Sequence, residues 1–165
     1  MMNAGVLTLS DKGSRGERQD TSGPIIEKML EEIHIRTEIR KCLPDDLDSI
    51  VDTLKDWTDN FDLDLIITTG GTGLSPRDVT PEATLKIIDR RILGMEEVMR
   101  MKSLEKTPNA MISRAVTGAR DKTLIINLPG SPNAVRECLS SIMPALVHAL
   151  KKLGGDMNDC ARAEV

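Results

Sequence analysis

Residues 62–78 read DLDLIITTGGTGLSPRD, so a short apolar run leads directly into a loop with three glycines. The apolar run predicts a strand over residues 62–68. Thr80-Pro81-Glu82 follows the loop, and an N-cap residue, a proline and an acid in this order are typical of the first turn of a helix. The segment therefore predicts a strand, a loop over residues 70–78, here called the glycine loop, and a helix that begins at Thr80.

The rest of the chain repeats this alternation of short apolar runs and helical stripes. Further strands are predicted at residues 5–9, 36–43 and 122–127. Apolar residues recur at helical spacing over residues 25–33, 47–57, 94–106 and 135–146. The pattern predicts an α/β fold with a largely parallel sheet. We expect residues 1–153 to form a single domain, residues 154–165 to form a loose tail, and Pro144 to kink or divide the last helix.

Composition narrows the classes of function. The chain of 165 residues has a net charge of −4 and contains one Trp, one Phe and no Tyr. Because basic residues form no long run and aromatic rings are scarce, a nucleic acid or a membrane surface is disfavoured as a partner. No apolar stretch approaches the roughly 20 residues of a membrane span, and residues 1–7 lack the features of a signal peptide. Cys42, Cys138 and Cys160 lack metal-site spacing, so we expect free thiols in a reducing cytoplasm.

Four loops are expected at one edge of the sheet. The carboxyl ends of parallel strands lie together, and ligands bind in the crevice that they form. The loops begin at Ser10, Pro44, Gly70 and Pro129. This arrangement would bring Asp11, Asp45 and Asp78 near one another, beside several glycine backbones.

The glycine loop has the composition of a phosphate-binding loop. Glycines leave backbone N–H groups uncovered, and Thr69 and Thr72 add hydroxyl donors. The helix that begins near Thr80 would contribute the positive end of its dipole. The loop lacks the Gly-Lys-Ser/Thr of a Walker A loop and the frame of a dinucleotide fingerprint. A connection used only for tight turning is the alternative, and the spacing modestly favours phosphate.

Asp45 and Asp78 each allow two interpretations. Either carboxylate could stabilise the start of the helix that follows it. Alternatively, the two could hold Mg²⁺, which prefers carboxylate oxygens and often bridges substrate phosphates. Two aspartates beside a phosphate loop favour the metal. The pair Ser113-Arg114, taken by itself, predicts a surface turn, and the methionines between residues 95 and 111 are expected to fill the core or subunit contacts.

Residues 65–83, LIITTGGTGLSPRDVTPEA, resemble the signature of the MogA/MoaB molybdopterin-binding family, which includes molybdopterin adenylyltransferases and the G domains of gephyrin-type proteins. Further matching segments are LTLSD at 7–11, DTSGP at 20–24, SR at 113–114 and NLPGSPNAV at 127–135. The resemblance extends from the first strand to the last helix. It implies a three-layer αβα fold with a largely parallel sheet, and a homotrimer.

The resemblance also implies a reaction. AMP is transferred from Mg-ATP to the terminal phosphate of molybdopterin, pyrophosphate is released, and a molybdenum-insertion protein is a candidate partner for the product. Asp45 and Asp78 match the essential aspartates of the family, which implies catalytic and Mg²⁺-binding roles. The implied substrate- and nucleotide-binding residues are Ser10, Asp11, Thr69, Gly70, Gly71, Thr72, Gly73, Ser113, Pro129, Gly130 and Ser131. Among them Ser113 is expected to contact the pterin.

Three alternatives stand beside this hypothesis: a non-catalytic MoaB-like protein that binds molybdopterin, an assembly scaffold, and a nucleotide hydrolase related to CinA-type proteins. The intact Pro44-Asp45 and Arg77-Asp78-Val79-Thr80 segments favour an active enzyme. Residues 129–133, PGSPN, favour the molybdopterin branch over the hydrolase.

Overall fold

A six-stranded sheet forms the middle of the fold in the computed structural model, which describes residues 2–156. The strands are β1 Met2–Leu9, β2 Ile35–Leu43, β3 Leu65–Thr69, β4 Arg90–Arg91, β5 Thr117–Arg120 and β6 Thr123–Leu128. Their order in the sheet is β2-β1-β3-β6-β5-β4. The first four are parallel, whereas β5 is antiparallel to β6 and β4 is antiparallel to β5.

Helices cover both faces of the sheet. They are α1 Asp11–Ser14, α2 Ser22–Glu31, α3 Leu47–Asn60, α4 Thr80–Leu85, α5 Leu93–Leu104 and α6 Pro132–Leu153, with a 3₁₀ helix at Pro108–Ile112. Helices α2, α5 and α6 pack on one face, and α3 and α4 pack on the other. Successive residues of a buried strand point to opposite faces of the sheet, and each face has its own hydrophobic core. Ile67 lies in the core beneath α2, α5 and α6, and Ile66 lies in the core beneath α3 and α4. The predicted three-layer α/β architecture with a largely parallel sheet is confirmed.

The strand predictions missed the antiparallel edge. Strand β5 contains Gly118, where an added Cβ would lie 2.5 Å from the Ile88 side chain and 2.7 Å from the Arg90 carbonyl oxygen. The neighbouring strand β4 passes so close that no side chain fits, and a glycine in a four-residue strand removes the apolar signal on which the prediction depended. Strand β3 begins at Leu65 rather than at residue 62, because a turn joins the Leu63 N–H to the Phe61 carbonyl.

The structure corrects the predicted start of α4 and the expectation that Pro144 could divide α6. Val79, not Thr80, is the N-cap of α4, and Thr80 lies in the first turn, where its hydroxyl donates to the Gly70 carbonyl at 2.9 Å. Pro144 does not divide α6, which continues from Pro132 to Leu153. Pro144 is exposed, so the carbonyl that its ring leaves without a partner faces water while the buried stripe of the helix continues. Ser131 caps α6 as predicted, and its Oγ accepts from Ala134 N.

Trp57 is buried where α3 crosses the sheet. An added Cβ on Gly5 would lie 2.7 Å from the indole ring, so the absence of a side chain at Gly5 allows the ring to rest on β1. Leu63, just before β3, completes this contact. Trp57 therefore lies toward the amino ends of the strands.

Gly154 caps the end of α6. The greater part of the expected tail, residues 157–165 with Cys160, lies outside the described residues.

Cys42 and Cys138 carry free thiols. Between residues 2 and 156 no helix combines the length and the apolar character that a membrane crossing needs.

Candidate functional site

The loops that follow β1, β2, β3 and β6 meet at one edge of the sheet. Ser10 N donates to the Leu43 carbonyl at 2.9 Å, which joins the ends of β1 and β2. Gly70 N donates to the Leu128 carbonyl at 3.1 Å, which joins the ends of β3 and β6. Thr69 adds a side-chain bond, since its hydroxyl donates to the Pro129 carbonyl at 2.7 Å. The residues predicted to gather at this edge therefore belong to one hydrogen-bonded rim.

Glycine is required where the glycine loop leaves β3. Gly70 has φ +101°, and an added Cβ would lie 2.3 Å from the Leu9 carbonyl oxygen. Gly71 has φ +64°, and its added Cβ would meet Thr80 Oγ1 at 2.4 Å and Asp45 Oδ1 at 3.1 Å. Both φ values fall in the region that side chains disfavour. The loop therefore passes directly against β1 and against the Asp45 carboxylate.

Asp45 and Asp11 bind each other's backbone. Asp11 N donates to Asp45 Oδ2 at 3.1 Å, and Asp45 N donates to Asp11 Oδ1 at 3.1 Å. Asp45 does not cap a helix, because Asp46 is the N-cap of α3 and accepts from Ser49 N at 2.9 Å. The capping interpretation of Asp45 was wrong, and its second carboxylate oxygen, Oδ1, faces Gly71.

Asp78 closes the glycine loop on itself. Its Oδ2 accepts from Ser75 N at 2.9 Å and lies 2.9 Å from where a Cβ on Gly73 would be. The N-cap of α4 is Val79, so Asp78 does not cap that helix. The preceding residue, Arg77, reaches across to Asp11, with Nη2 donating to Oδ1 at 2.8 Å and Nε donating to Oδ2 at 3.1 Å.

The pKa values of two rim carboxylates, Asp45 and Asp11, are shifted in opposite directions. Burial, together with the charges of Asp11 and Asp78, raises the pKa of Asp45 above its usual range. The hydrogen bonds from Arg77, supported by the Asp45 backbone N–H, lower the pKa of Asp11. Asp11 thus has a cationic partner, while Asp45 is half-buried beside two other acids. A cation near Asp45 and Asp78 would relieve this repulsion.

Two adjoining pockets open on the rim. The larger, of about 390 Å³, is polar and is lined by both metal-ligand candidates and by six other predicted residues. These are Asp45, Asp78, Ser10, Thr69, Gly70, Gly71, Gly130 and Ser131. The smaller, of about 230 Å³, is mostly apolar and is lined by the four predicted residues Thr72, Gly73, Ser113 and Pro129. Asp11 lines neither pocket, and its contacts are to Asp45 and Arg77.

Sequence reasoning missed several residues that build the site. Asp20 accepts from the amides of Ser22 and Gly23 at the start of α2 and from the Thr8 hydroxyl. The Ser22 hydroxyl in turn donates to the Gly130 carbonyl at 2.8 Å, which ties α2 to the last loop of the rim. The motif at residues 20–24 contained this signal, although nothing in the sequence identified its partner.

Arg114 contradicts the predicted surface turn. Its guanidinium group is two-thirds buried, and it donates to the carbonyls of Gly73 and Asp78, both at 2.7 Å. It also pairs with the carboxylate of Glu82 in α4. Ser113 beside it is half-buried at the smaller pocket. An arginine in a short polar segment has no local signature of such contacts, because its partners lie more than 30 positions away along the chain.

The chain matches the family model described as a probable molybdopterin binding domain over residues 5–148. It is 41% identical over 160 residues to the molybdopterin adenylyltransferase of Helicobacter pylori strain J99, covering 94% of this chain and 89% of that protein. It is 45% identical over 157 residues to gephyrin from Dictyostelium discoideum, covering 88% of this chain but 22% of gephyrin. The likeness thus extends over nearly the whole bacterial protein and over less than a quarter of gephyrin.

A solved structure has the same fold. The molybdopterin biosynthesis enzyme MoaB from Thermus thermophilus superposes with a TM-score of 0.90 at 48% sequence identity, covering 94% of this chain and 98% of that one. The alignment thus extends over nearly the whole of both chains.

Proposed function

Because this chain belongs to the MogA/MoaB family of molybdopterin-binding proteins, we propose that it is a molybdopterin adenylyltransferase of molybdenum cofactor biosynthesis. The observation that carries the proposal is the rim itself. Asp45 lies against the glycine loop and Asp78 ends it; both line the polar pocket, and the loop also lines the apolar one. Adenylyl transfer joins a nucleotide to a phosphate that is attached to a heterocycle. It therefore needs one pocket for the phosphates and one for the ring system.

The reaction transfers AMP. An oxygen of the terminal phosphate of molybdopterin attacks the α-phosphorus of ATP, a new P–O bond forms, and the bond from the α-phosphorus to the bridging oxygen breaks. The electron pair of that bond leaves with pyrophosphate. No covalent intermediate with the protein is required, so the task of the protein is to align the two phosphates and to stabilise negative charge.

Each group of predicted residues has a part in this alignment. Thr69, Gly70 and Gly71 form the wall of the polar pocket where the triphosphate of ATP would lie. Gly130 and Ser131 line the same pocket, and Gly130 lies directly beside Gly70. Ser10 also lines this pocket, and Asp11 holds Asp45 and Arg77 in place through its hydrogen bonds.

The pterin would occupy the apolar pocket. Thr72, Gly73 and Pro129 line the pocket on the side of the rim. Ser113 lies on the same wall and offers a hydroxyl to the polar edge of the ring system. The glycine loop contributes residues to both pockets, so the two phosphates would meet along it.

The donor set at the rim fits Mg²⁺. Asp45 and Asp78 supply hard carboxylate oxygens, and burial, with a smaller contribution from the charges of Asp11 and Asp78, raises the pKa of Asp45, so a cation would stabilise its charged form. Within residues 2–156 no cluster of three or more metal-ligating side chains occurs, so substrate phosphates and water would complete the coordination sphere. When bound, Mg²⁺ stabilises the charge of the triphosphate and of the departing pyrophosphate.

We also propose that the protein acts as a homotrimer. Exposed apolar side chains cluster on α5 and on the 3₁₀ helix that packs against it: Val98, Met101, Leu104, Met111 and Ile112. Met99, by contrast, is buried in the core. An apolar surface of this kind is typical of a contact between subunits. Its position beside the smaller pocket, which Ile112 also lines, would couple assembly to the site.

The adenylylated product is an activated intermediate, so a molybdenum-insertion protein is its expected recipient. The cytoplasm is the compartment that we propose, because the reaction consumes ATP. The free thiols of Cys42 and Cys138 agree with it, since thiols stay reduced there.

The decisive experiment incubates the purified protein with molybdopterin, ATP and Mg²⁺ and measures adenylylated molybdopterin and pyrophosphate. We expect Asp45→Asn and Asp78→Asn to lower the rate by roughly 100- to 1,000-fold while the proteins remain folded, because each removes an anionic ligand of the Mg²⁺ that would neutralise the phosphates. Asp46→Asn is the matched control: asparagine caps a helix as well as aspartate does, so activity should be retained.

The outcome also separates the proposed enzyme from a MoaB-like binding protein. Calorimetry with molybdopterin alone and with Mg-ATP alone measures the two affinities. Binding of molybdopterin without formation of product or pyrophosphate would favour the non-catalytic alternative. Normal turnover by Asp78→Asn would remove the assignment of that residue.

A further inference from the structure

Arg114 contacts the glycine loop at three points. Its backbone N–H donates to the Thr72 carbonyl at 2.9 Å. Its Nε donates to the Gly73 carbonyl and its Nη2 to the Asp78 carbonyl, both at 2.7 Å. The remaining nitrogen of the guanidinium group pairs with Glu82. One residue thus connects the beginning of the loop, its end and the first turn of α4.

Apart from these contacts, the middle of the glycine loop is joined to the rest of the molecule through Arg77, whose guanidinium group binds Asp11. The four residues from Leu74 to Arg77 are exposed. Ser75 and Asp78 bond to each other, since Asp78 N donates to the Ser75 carbonyl at 2.9 Å and Ser75 N donates to the Asp78 carboxylate. These bonds close the turn locally, Arg77 joins its exposed side to Asp11, and Arg114 fixes the carbonyls of Gly73 and Asp78 on either side of it.

Holding the carbonyls also determines the direction of the amides. In a trans peptide the C=O and the N–H of one unit point in opposite directions. With the carbonyls of Thr72 and Gly73 bound toward Arg114, the N–H groups of Gly73 and Leu74 point away from it. Neither of these two N–H groups has a hydrogen-bond partner among residues 2–156. Uncovered amides in consecutive positions are suited to bind an anion.

We propose that Arg114 is a positioning residue for adenylyl transfer: it holds the glycine loop so that the amides of Gly73 and Leu74 are presented to a substrate phosphate. The proposal rests on the proposed function, and it adds a residue outside the set assigned above. Arg114 itself does not touch the phosphate, because its donors are already engaged by the loop and by Glu82.

The guanidinium group is specific for this task. Its donors have fixed directions in one plane and can reach three acceptors at once, whereas the ammonium group of lysine is a compact point charge. Arg114→Lys should therefore keep the positive charge beside Glu82 but lose part of the hydrogen bonding to the carbonyls of Gly73 and Asp78. Arg114→Ala should lose all three side-chain contacts.

Arg120 provides a matched control. Like Arg114 it is largely buried, pairs with a carboxylate, here that of Asp59, and donates to a backbone carbonyl, here that of Ile87. None of its partners belongs to the rim or to the glycine loop. Arg120→Ala should therefore lower stability without changing the kinetics.

The test has two measurements. The first is amide hydrogen exchange of the free protein over residues 72–79, read at the hydrogen-bonded amides of Ser75, Arg77 and Asp78. Arg114→Ala should raise their exchange by about tenfold or more, while Arg120→Ala leaves it unchanged. The second is steady-state turnover with Mg-ATP and molybdopterin. Here Arg114→Ala should lower kcat/KM by about 100-fold, with part of the loss in kcat, as expected when reacting groups are displaced by an ångström. Arg114→Lys should recover about a tenth of the wild-type value.

Unchanged exchange over residues 72–79, or kinetics of Arg114→Ala equal to those of Arg120→Ala, would overturn the proposal. If Arg114→Ala does not fold, the same two measurements on Arg114→Lys carry the test. A wild-type protein that forms no product refutes the proposed function instead. In that case exchange and the calorimetric affinity for Mg-ATP, expected to be about tenfold weaker in Arg114→Ala, still decide the role of Arg114.

Discussion

Asp45 and Asp46 are adjacent and chemically identical, yet their carboxylates have different partners and different roles. Asp46 caps α3, and the hydrogen bonds that it accepts from the hydroxyl and the amide of Ser49 lower its pKa. Asp45 turns into the rim, where burial and two neighbouring acids raise its pKa. The backbone at the end of β2 thus separates a structural carboxylate from one suited to a cation.

The raised pKa of Asp45 has a consequence for stability. A carboxyl group whose pKa is higher in the folded than in the unfolded state binds its proton more tightly when folded. The stability that results is fully present below the unfolded pKa, about 4, and is lost as pH rises through the folded pKa. In metal-free buffer, Asp45→Asn should therefore melt at a higher temperature than the wild type at pH 7, because it avoids this loss. The difference should shrink as pH falls toward about 4.

Thermal melts with a chelator across this pH range check the prediction. Asparagine keeps an oxygen that can accept from Asp11 N, so the substitution mainly removes the charge. Asp46→Asn should show the opposite trend, since the wild-type group has a lowered pKa and its stabilisation is lost as pH falls. A melting temperature of Asp45→Asn below that of the wild type at pH 7 would contradict the argument.

At this scale the sequence was enough to predict which residues lie close together at the rim. It was not enough to predict the hydrogen bonds that they form. The positions of Asp11, Asp45 and Asp78 after three strands were enough to predict that they lie close together. Asp45 and Asp46 are the same residue type, so the sequence does not indicate which of them caps α3. The backbone conformation at the end of β2 decides it. Arg114 was misjudged because a surface turn and a bridging arginine look the same in a short polar segment.

At the scale of the element, the connection from β3 to α4 depends on Gly70. The loop must reverse against the carbonyl of Leu9 with a positive φ, and Thr80 then binds the Gly70 carbonyl from the first turn of α4. Strand end, loop and helix start are therefore fixed together. The sequence predicted all three pieces from the glycines and from Thr80-Pro81, but it placed the cap one residue too late. The side chain of Thr80 bonds across the loop rather than along the helix.

Gly70→Ala tests this dependence. The added Cβ would collide with a backbone oxygen, which cannot move aside as a flexible side chain could, and φ would be strained. We expect a loss of about 2–3 kcal/mol or more in the free energy of unfolding, or roughly 5–10 °C in Tm. Calorimetric melts measure the loss. The control is Gly94→Ala in α5, where nothing lies within 4 Å of the added Cβ, so stability should be unchanged or slightly higher.

The whole molecule has a polar rim on one edge and an apolar surface on α5. The parallel half of the sheet was predicted because long apolar runs and helical stripes alternate along it. The strands β4 and β5 were missed because two- and four-residue strands carry too few side chains to show a period, and their pairing is set by contacts distant in sequence.

The proposed trimer gives a prediction at this scale. Met101 is 68% exposed at the middle of the apolar surface, so Met101→Lys should weaken association by placing a charge in a dry contact. Sedimentation velocity should show the wild type as a trimer and the variant shifted toward monomer. Phe61→Lys is the control, since Phe61 is also exposed but follows α3 on the opposite face. A wild type that sediments as a monomer at micromolar concentration would contradict the trimer.

The burial of Trp57 against Gly5 gives the protein a built-in optical probe. With no Tyr in the chain, ultraviolet emission excited near 295 nm comes from a single indole that is 2% exposed. The indole rests near the amino ends of the strands, whereas the rim lies at their carboxyl ends. Emission should therefore shift to the red only when the sheet itself opens. Fluorescence can follow unfolding of every variant without a label, and it should remain silent when the glycine loop alone moves.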